Sequence, residues 1–441
     1  MLARVVVPIP HAGSPGALSL VAFAATFVAF IALAWRRPAW ALGAYLVLEP
    51  FELARAIGPT TLSLPKAALV GIIAGLLLRR APLRLLHVPA LRPLLGGALA
   101  IVIVTAATLL PATFVDPVFR ETLKAIEYLA LLVVGIVAFD AEPDECAIWR
   151  ALGASVAIVS ALAIVQEFTV APSGFFVGSR IVARIAGPLD GPNQLAGWLA
   201  VAVPALAARA LLGPRAPGYA ALALLGLVTD ALTFSRAGAI GVLAGLALVG
   251  VLAIRSGGSK RVRRAALGLA LPIAVAAVPL ALAKNSIASG GLTGAALRLS
   301  GADETNAENG LATRGVLWHA ALRMFARDPG LGVGAGNFEF LTPTVGLVGV
   351  RTHANSLYLQ SLAEGGVALF GAVVWTLAAA LALLLRAPRT PLAIGVAAGT
   401  LALATHQLFD TLVFFPKVGD LWWLLLGIGA ASALAPAKPA A

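Results

Sequence analysis

The sequence predicts an all-α integral membrane protein, with about 12 or 13 spanning helices and one large polar loop subdomain. Of its 441 residues 60% are hydrophobic and only 12% charged, about half the charged fraction of a soluble domain. Mean hydropathy is +0.94. Apolar runs of about 20 residues recur along the chain, the length that crosses a hydrocarbon core. One stretch breaks this pattern. Lys284 to His353 carries Asp303, Glu304, Asn306, Glu308, Asn309, Arg314, Arg323, Arg327, Asp328 and Arg351, a composition suited to handling something anionic at a bilayer edge.

In chain order the candidate spans are Ala17–Trp35, Ala39–Arg55, Pro65–Leu78, Leu94–Ala112, Thr122–Phe139, Ala147–Phe168, Asn193–Leu212, Tyr219–Thr233, Ala237–Ile254, Ala265–Ala283, Gly366–Leu385, Pro391–Phe409 and Val418–Ala435. Glu49, Pro50 and Glu52 interrupt the second, and the third is short. The first run is long enough to span and lacks the basic flank of a cleavable signal. Residues 1–441 read as a single polytopic domain, with 284–353 as a loop or lid subdomain containing an amphipathic helix over about 313–327.

Lysine and arginine in short loops set orientation. Arg36 and Arg37; Arg79, Arg80, Arg84 and Arg92; Arg209 and Arg215; Arg255, Lys260, Arg261, Arg263 and Arg264; and Arg386 and Arg389 fall in alternate loops. That side is expected to be cytoplasmic; with 13 spans the N-terminus faces outward, and with one early span fewer it is cytoplasmic and the rest is unchanged. The net charge of +12 is then a topology signal and implies no nucleic-acid partner. The single cysteine, Cys146, excludes an internal disulfide and a cysteine metal cluster.

The opposite, outward loops gather the chemically interesting side chains. Arg236 lies in Thr233-Phe-Ser-Arg236-Ala-Gly238, between two apolar spans. A guanidinium there pairs, snorkels or lines a wet cavity; Asp230 is the nearest acid in sequence. Its functional reading is a phosphate clamp, because its planar donors match phosphate oxygens. Arg314 opens the amphipathic segment that continues through Trp318 and Met324 to Phe325, with Arg323 and Arg327 on a solvated face. Gly332 to Asn337 lacks the preceding strand and following lysine of a phosphate loop, so it reads as a turn. His353 heads an unusually polar lead-in to a span, through Tyr358, Gln360, Ser361 and Glu364, and an imidazole suits activation of a hydroxyl. His319 reads as structural. His406 and Asp410 form a polar cluster near an outer span end and could support the site. Arg184 could add a third positive group, and Asn193 could cap the helix that follows.

The outward loops hold no Asp-x-Asp pair, no metal-spaced His/Asp cluster and no Gly-x-Ser-x-Gly elbow. A departing diphosphate would have its charge offset by arginines, and no metal or cofactor is implied.

Four segments in order resemble the O-antigen ligase and polymerase superfamily of bacterial membrane glycosyltransferases. They are Arg184-Ile-Ala-Gly-Pro with Gly-Pro-Asn193-Gln-Leu-Ala; Phe234-Ser-Arg236-Ala-Gly; Arg314-Gly-Val-Leu-Trp318 with Asp328-Pro-Gly-Leu-Gly-Val-Gly-Ala-Gly-Asn337-Phe; and Thr352-His-Ala-Asn-Ser-Leu-Tyr-Leu-Gln with Glu364-Gly-Gly. The His406, Asp410, Pro416, Trp422 series also fits. Where family members often show His-x-His-Asn, this chain has His353-Ala-Asn355-Ser and keeps only the first histidine.

The resemblance implies a GT-C-like fold in the bacterial inner membrane, with an active site facing the periplasm. It implies a metal-independent, inverting transfer of a glycan from undecaprenyl diphosphate. The acceptor would be lipid A–core for a ligase, or a second lipid-linked glycan for a polymerase. Laid over the residues, it makes His353 the group that orients or deprotonates the acceptor hydroxyl. Arg236 and Arg314, assisted by Arg184, bind the diphosphate, with His406, Asp410 and Asn193 in support. The competing class, a transporter or flippase of lipid-linked glycan, calls for midplane charges and internal repeats, and no convincing repeat is found.

Overall fold

A computed structural model of the chain describes residues 17–51, 54–57, 60–169, 174–177, 180–213, 216–255, 311–386 and 390–435. The helices are α1 (Ala17–Arg36), α2 (Pro38–Leu48), α3 (Leu64–Arg79), α4 (Arg92–Ala107), α5 (Val115–Ala141), α6 (Glu145–Thr169), α7 (Pro192–Leu212), α8 (Ala216–Leu232), α9 (Arg236–Arg255), α10 (Leu311–Arg327), α11 (Leu357–Leu384), α12 (Pro391–His406) and α13 (Pro416–Leu434). Two short antiparallel hairpins join them, β1 (Ala54–Ile57) with β2 (Thr60–Ser63) and β3 (Gly174–Val177) with β4 (Arg180–Ala183). The protein is an all-α integral membrane protein. Seven described helices are long and apolar enough to cross a bilayer, and several shorter apolar helices accompany them.

Twelve of the thirteen expected spans fall on described helices, while Ala265–Ala283 lies outside the described residues, as do Asp303 and Glu304. The differences have local causes. The second span stops at Leu48 and turns at Glu49–Pro50, because Pro50 has no N–H to extend the ladder. The chain then enters the β1–β2 hairpin rather than continuing to Arg55. The eleventh span starts nine residues early, at Leu357, so the polar lead-in and the apolar span are one element. Gly366 divides the two parts with φ 59° and ψ −161°, a backbone state open to glycine.

The bundle has two distinct ends. At one, Arg37 pairs with Glu142, Arg84 is bidentate to Asp140, Arg79 donates to the Trp35 carbonyl, and Ser432 bonds Glu145 and Thr390. This is the arginine-rich end. At the other, Phe114 meets Asn337, Thr108 meets Ala335, Lys417 meets Asp190, and Leu357 N–H reaches the carbonyls of Gln407 and Asp410. Every candidate site residue is at this second end.

Helices approach closely where glycines allow it. A Cβ on Gly135 of α5 would sit 2.7 Å from the Leu424 carbonyl oxygen, and one on Gly427 of α13 2.2 Å from that of Leu132. Such small-residue contacts drive packing where no hydrophobic gain separates helix from lipid. Within this core, polar side chains meet across remote segments. Tyr45 of α2 donates to Asp420 of α13, Trp198 of α7 donates to Glu49, and Lys66 of α3 faces Glu127 of α5 at 3.6 Å. Their burial is tolerated because each acid meets a donor or cation.

Gly135→Leu is expected to force α5 and α13 apart, lowering stability by about 1–3 kcal/mol. Gly96→Leu, at a position with open space around it, serves as the control. Thermal unfolding of the two variants in detergent checks this.

Candidate functional site

The site is built from four loop segments that close over one end of the bundle. The first is the β4–α7 connection. Arg184 Nε donates to the Thr233 carbonyl at 2.7 Å and its Nη2 to Asn193 Oδ1 at 2.7 Å. Asn193 therefore does not cap its helix, which starts after Gly191. Its side chain is held between Arg184 and Asp410.

The second segment is the α8–α9 turn. Thr233 Oγ1 bonds the Asp230 carbonyl and receives the Ser235 N–H, and Ser235 Oγ receives the Gly238 N–H. This capping makes Arg236 the first residue of α9, where the positive end of the helix dipole reinforces its charge. Arg236 Nη2 is buried with no hydrogen-bond partner among the described residues. The neighbouring acid does not quench it: Asp230 Oδ1 is likewise unpartnered and lies over Gly238, 3.0 Å from where a Cβ would stand.

The third segment is α10 with the turn after it. Leu317, Ala320, Ala321 and Met324 are buried at helical spacing, while Arg323 and Arg327 are exposed. The two arginines also tie α10 to the next turn, through the carbonyls of Val345 and Thr344. Arg314 begins the second turn of α10, and its charge reaches His406 and Asp410. His319 bonds the Gly315 carbonyl within the helix, the structural role expected for it. Residues 328–336 form the expected turn rather than a phosphate loop, with Gly332, Gly334 and Gly336 at positive φ.

The fourth segment joins His353 to residues 407–415. The His353 ring packs at a tilt of 46° against Phe414, with centroids 3.9 Å apart, and meets Phe415 edge-on at 6.1 Å. Its Nδ1 is buried without a hydrogen-bond partner among the described residues. Burial, together with the charge of Lys124, lowers its pKa from 6.5 to about 4. At neutral pH the ring is uncharged and keeps a lone pair for an incoming hydroxyl. His406 is fully buried at the end of α12, against Gly241 of α9. Asp410 is almost fully buried, and that burial pushes its carboxyl above the usual range. The Thr411 N–H, the Arg314 charge, the Asn193 side chain and the Arg184 charge pull it back.

Three of the expected residues thus converge on Asp410: Arg184, Asn193 and Arg314. His406 shares the field of Arg314, and Arg236 stands one helical turn and a half before the Gly241 contact with His406. His353 is placed differently, against Phe414 and the charge of Lys124.

Lys124, Phe414, Gln360 and Glu364 were not singled out as site residues from sequence. Gln360 Oε1 receives the Ala354 N–H at 2.7 Å, and its Nε2 donates to Glu364 Oε1 at 2.9 Å. Glu364 Oε1 also receives the Phe338 N–H. The first turns of α11 therefore hold both the residue after His353 and the glycine-rich turn. The legible signal was the density of polar residues ahead of an apolar span. Lys124 gave a fainter one, a lysine inside the expected fifth span.

A family model described as O-antigen ligase matches residues 220–376, a segment that contains Arg236, Arg314 and His353. The match supports the O-antigen ligase and polymerase superfamily, the one whose motifs the chain carries in order. No curated protein matches the chain.

The depressed pKa of His353 has a stability consequence. Between pH 6.5 and about 4 the unfolded chain binds a proton there that the folded chain does not, so stability falls as pH drops through that window. His353→Phe should flatten this part of the profile, as read by thermal unfolding across pH 4–7.

Proposed function

We propose that the protein transfers a glycan from an undecaprenyl-diphosphate carrier to a hydroxyl of lipid A–core, on the periplasmic side of the bacterial inner membrane. Superfamily membership supports glycosyltransferase-like chemistry on lipid-linked glycans in general. The observation that carries the finer reading is Arg236. A buried guanidinium nitrogen without a partner among the described residues, at the N-terminus of a 20-residue helix, is a strong locus for a phosphoryl oxygen. Arg314 and Arg184, converging on Asp410, supply further positive charge beside it.

In the proposed reaction the acceptor hydroxyl oxygen attacks the anomeric carbon from the face opposite the diphosphate. The bond from that carbon to the diphosphate oxygen breaks, its electron pair leaves with the diphosphate, and the configuration inverts. His353 orients the hydroxyl and takes its proton as the new bond forms. A neutral imidazole of low proton affinity suits late transfer, when the attacking oxygen has become acidic. Arg236 and Arg314 stabilise the charge that grows on the leaving diphosphate, with Arg184 holding Asn193 and Asp410 around them. The described part of the polar excursion, residues 311–353, would act as a lid that carries Arg314 and His353 to the reacting bond.

His353→Ala is expected to abolish transfer while the protein still inserts and folds; normal transfer by that variant would sink the assignment. Arg236→Gln should lower the rate by about 100-fold or more, the usual effect of removing one donor from a developing anion. The assay supplies purified protein with lipid-linked glycan and each acceptor separately. Glycosylated core with free undecaprenyl diphosphate is the ligase outcome. Longer lipid-linked chains with unmodified core would instead mean a polymerase.

A further inference from the structure

Beside His353 lies a cavity of about 120 Å³ between α4, α5, α11 and α13. Its wall is mixed in a particular way. Tyr128 and Trp423 stack with ring centroids 6.1 Å apart, and Phe414, the ring on which His353 rests, completes an aromatic side. Gln407 and Thr411 line the same space and are 0% and 4% exposed. Gln407 Oε1 is fixed by the Val413 N–H at 3.3 Å, which leaves its Nε2 without a partner among the described residues. Thr411 Oγ1 is unpartnered as well.

Buried polar atoms of this kind carry a desolvation cost until something bonds them. What they want here is neutral. Gln407 offers an N–H donor, and Thr411 offers a hydroxyl that can donate or accept. The one cation among the described residues of the wall, Lys124, is already held by Glu121 at 2.8 Å and by the Phe414 carbonyl at 2.9 Å, so an anion gains little. A ring with polar edges and apolar faces satisfies both parts of this wall, and a sugar is such a ring.

We infer that this cavity is the acceptor pocket: it receives a neutral sugar ring of the acceptor, face-on to Tyr128 or Trp423, with hydroxyls bonded to Gln407 and Thr411. This deepens the transferase reading and rests on it for the word acceptor. It separates the two substrates: the diphosphate goes to the arginines and the uncharged hydroxyl-bearing ring to this cavity, with His353 at the boundary.

The test uses the full chain in nanodiscs. Saturation-transfer NMR with the methyl glycosides of glucose, galactose and N-acetylglucosamine reads sugar binding directly, with dodecanol as an apolar-chain probe. At least one glycoside should bind, and Thr411→Val should weaken it about tenfold without changing thermal stability, while Gln407→Leu, which also frees the buried Val413 N–H, should weaken it about tenfold with some loss of stability. Two-substrate kinetics on the same variants should raise acceptor KM about tenfold and leave donor KM unchanged. Binding of dodecanol alone, or a rise in donor KM instead, would overturn the pocket. Sugar binding by a protein that transfers nothing would leave the pocket standing as a sugar site and remove the transferase reading. Transfer with no glycoside bound and acceptor KM unmoved would do the reverse.

Discussion

The bridge from Gln360 to Glu364 is the interaction on which the candidate site depends. One amide and one carboxyl group, a single helical turn apart, receive the backbone N–H groups of Ala354 and Phe338. The two loops they hold are otherwise irregular, and irregular backbone at this depth is tolerated only when protein satisfies its polar groups. The same brace fixes the residue next to His353 and the buried Phe338 after the glycine-rich turn. Asn337 extends it, exchanging two hydrogen bonds with Phe114 at the entry to α5. Backbone bonds from Val333 and Gly334 to the carbonyls of Ala363 and Glu364 add to this brace.

A second constraint is the hydrocarbon itself. It leaves polar chemistry two places: the ends of the bundle and the sealed contacts between helices. The arginines of the short loops take one end, and Arg184, Arg236, Arg314 and His353 take the other. Along α11 the transition is visible within one helix. Its first nine residues carry the braced Gln360, Ser361 and Glu364, Gly366 resets the backbone, and the sequence from Val367 onward is apolar. The turn at Pro329–Gly330 seats against that reset, with the Val367 N–H donating to the Pro329 carbonyl, so the turn after α10 and the span share a joint.

What the sequence made legible follows the strength of its signals. Hydropathy marked the spans, since about 20 apolar residues leave little choice of structure. Alternating basic loops marked the two ends, and the arginines and histidines of the outward loops fall together at one of them. Side-chain pairings were another matter. Asn193 reads as a cap because capping is its common local role, yet Arg184 and Asp410 claim it from afar. Asp230 reads as the natural mate of Arg236, yet the turn directs the two apart. The β1–β2 hairpin was hidden because a short turn signal at Glu49–Pro50 sat inside an apolar average. Gln360 and Glu364 were noticed as polarity, but their partners lie 6 and 26 residues upstream, and no local pattern encodes that.

The pairing of Tyr45 with Asp420 spans 375 positions of sequence, and this has a consequence for biogenesis. A chain made from its N-terminus commits α2 to the membrane long before α13 exists, and Glu49 waits for Trp198, which is 149 residues further on. For most of synthesis these groups are in hydrocarbon without their final companions. The early helices are therefore poor lodgers until the late ones arrive, and the bundle closes only when its last helix is threaded beside its second. A nascent chain arrested before α13 is a natural substrate for membrane quality control, so the same contact that seals the finished protein also marks an unfinished one.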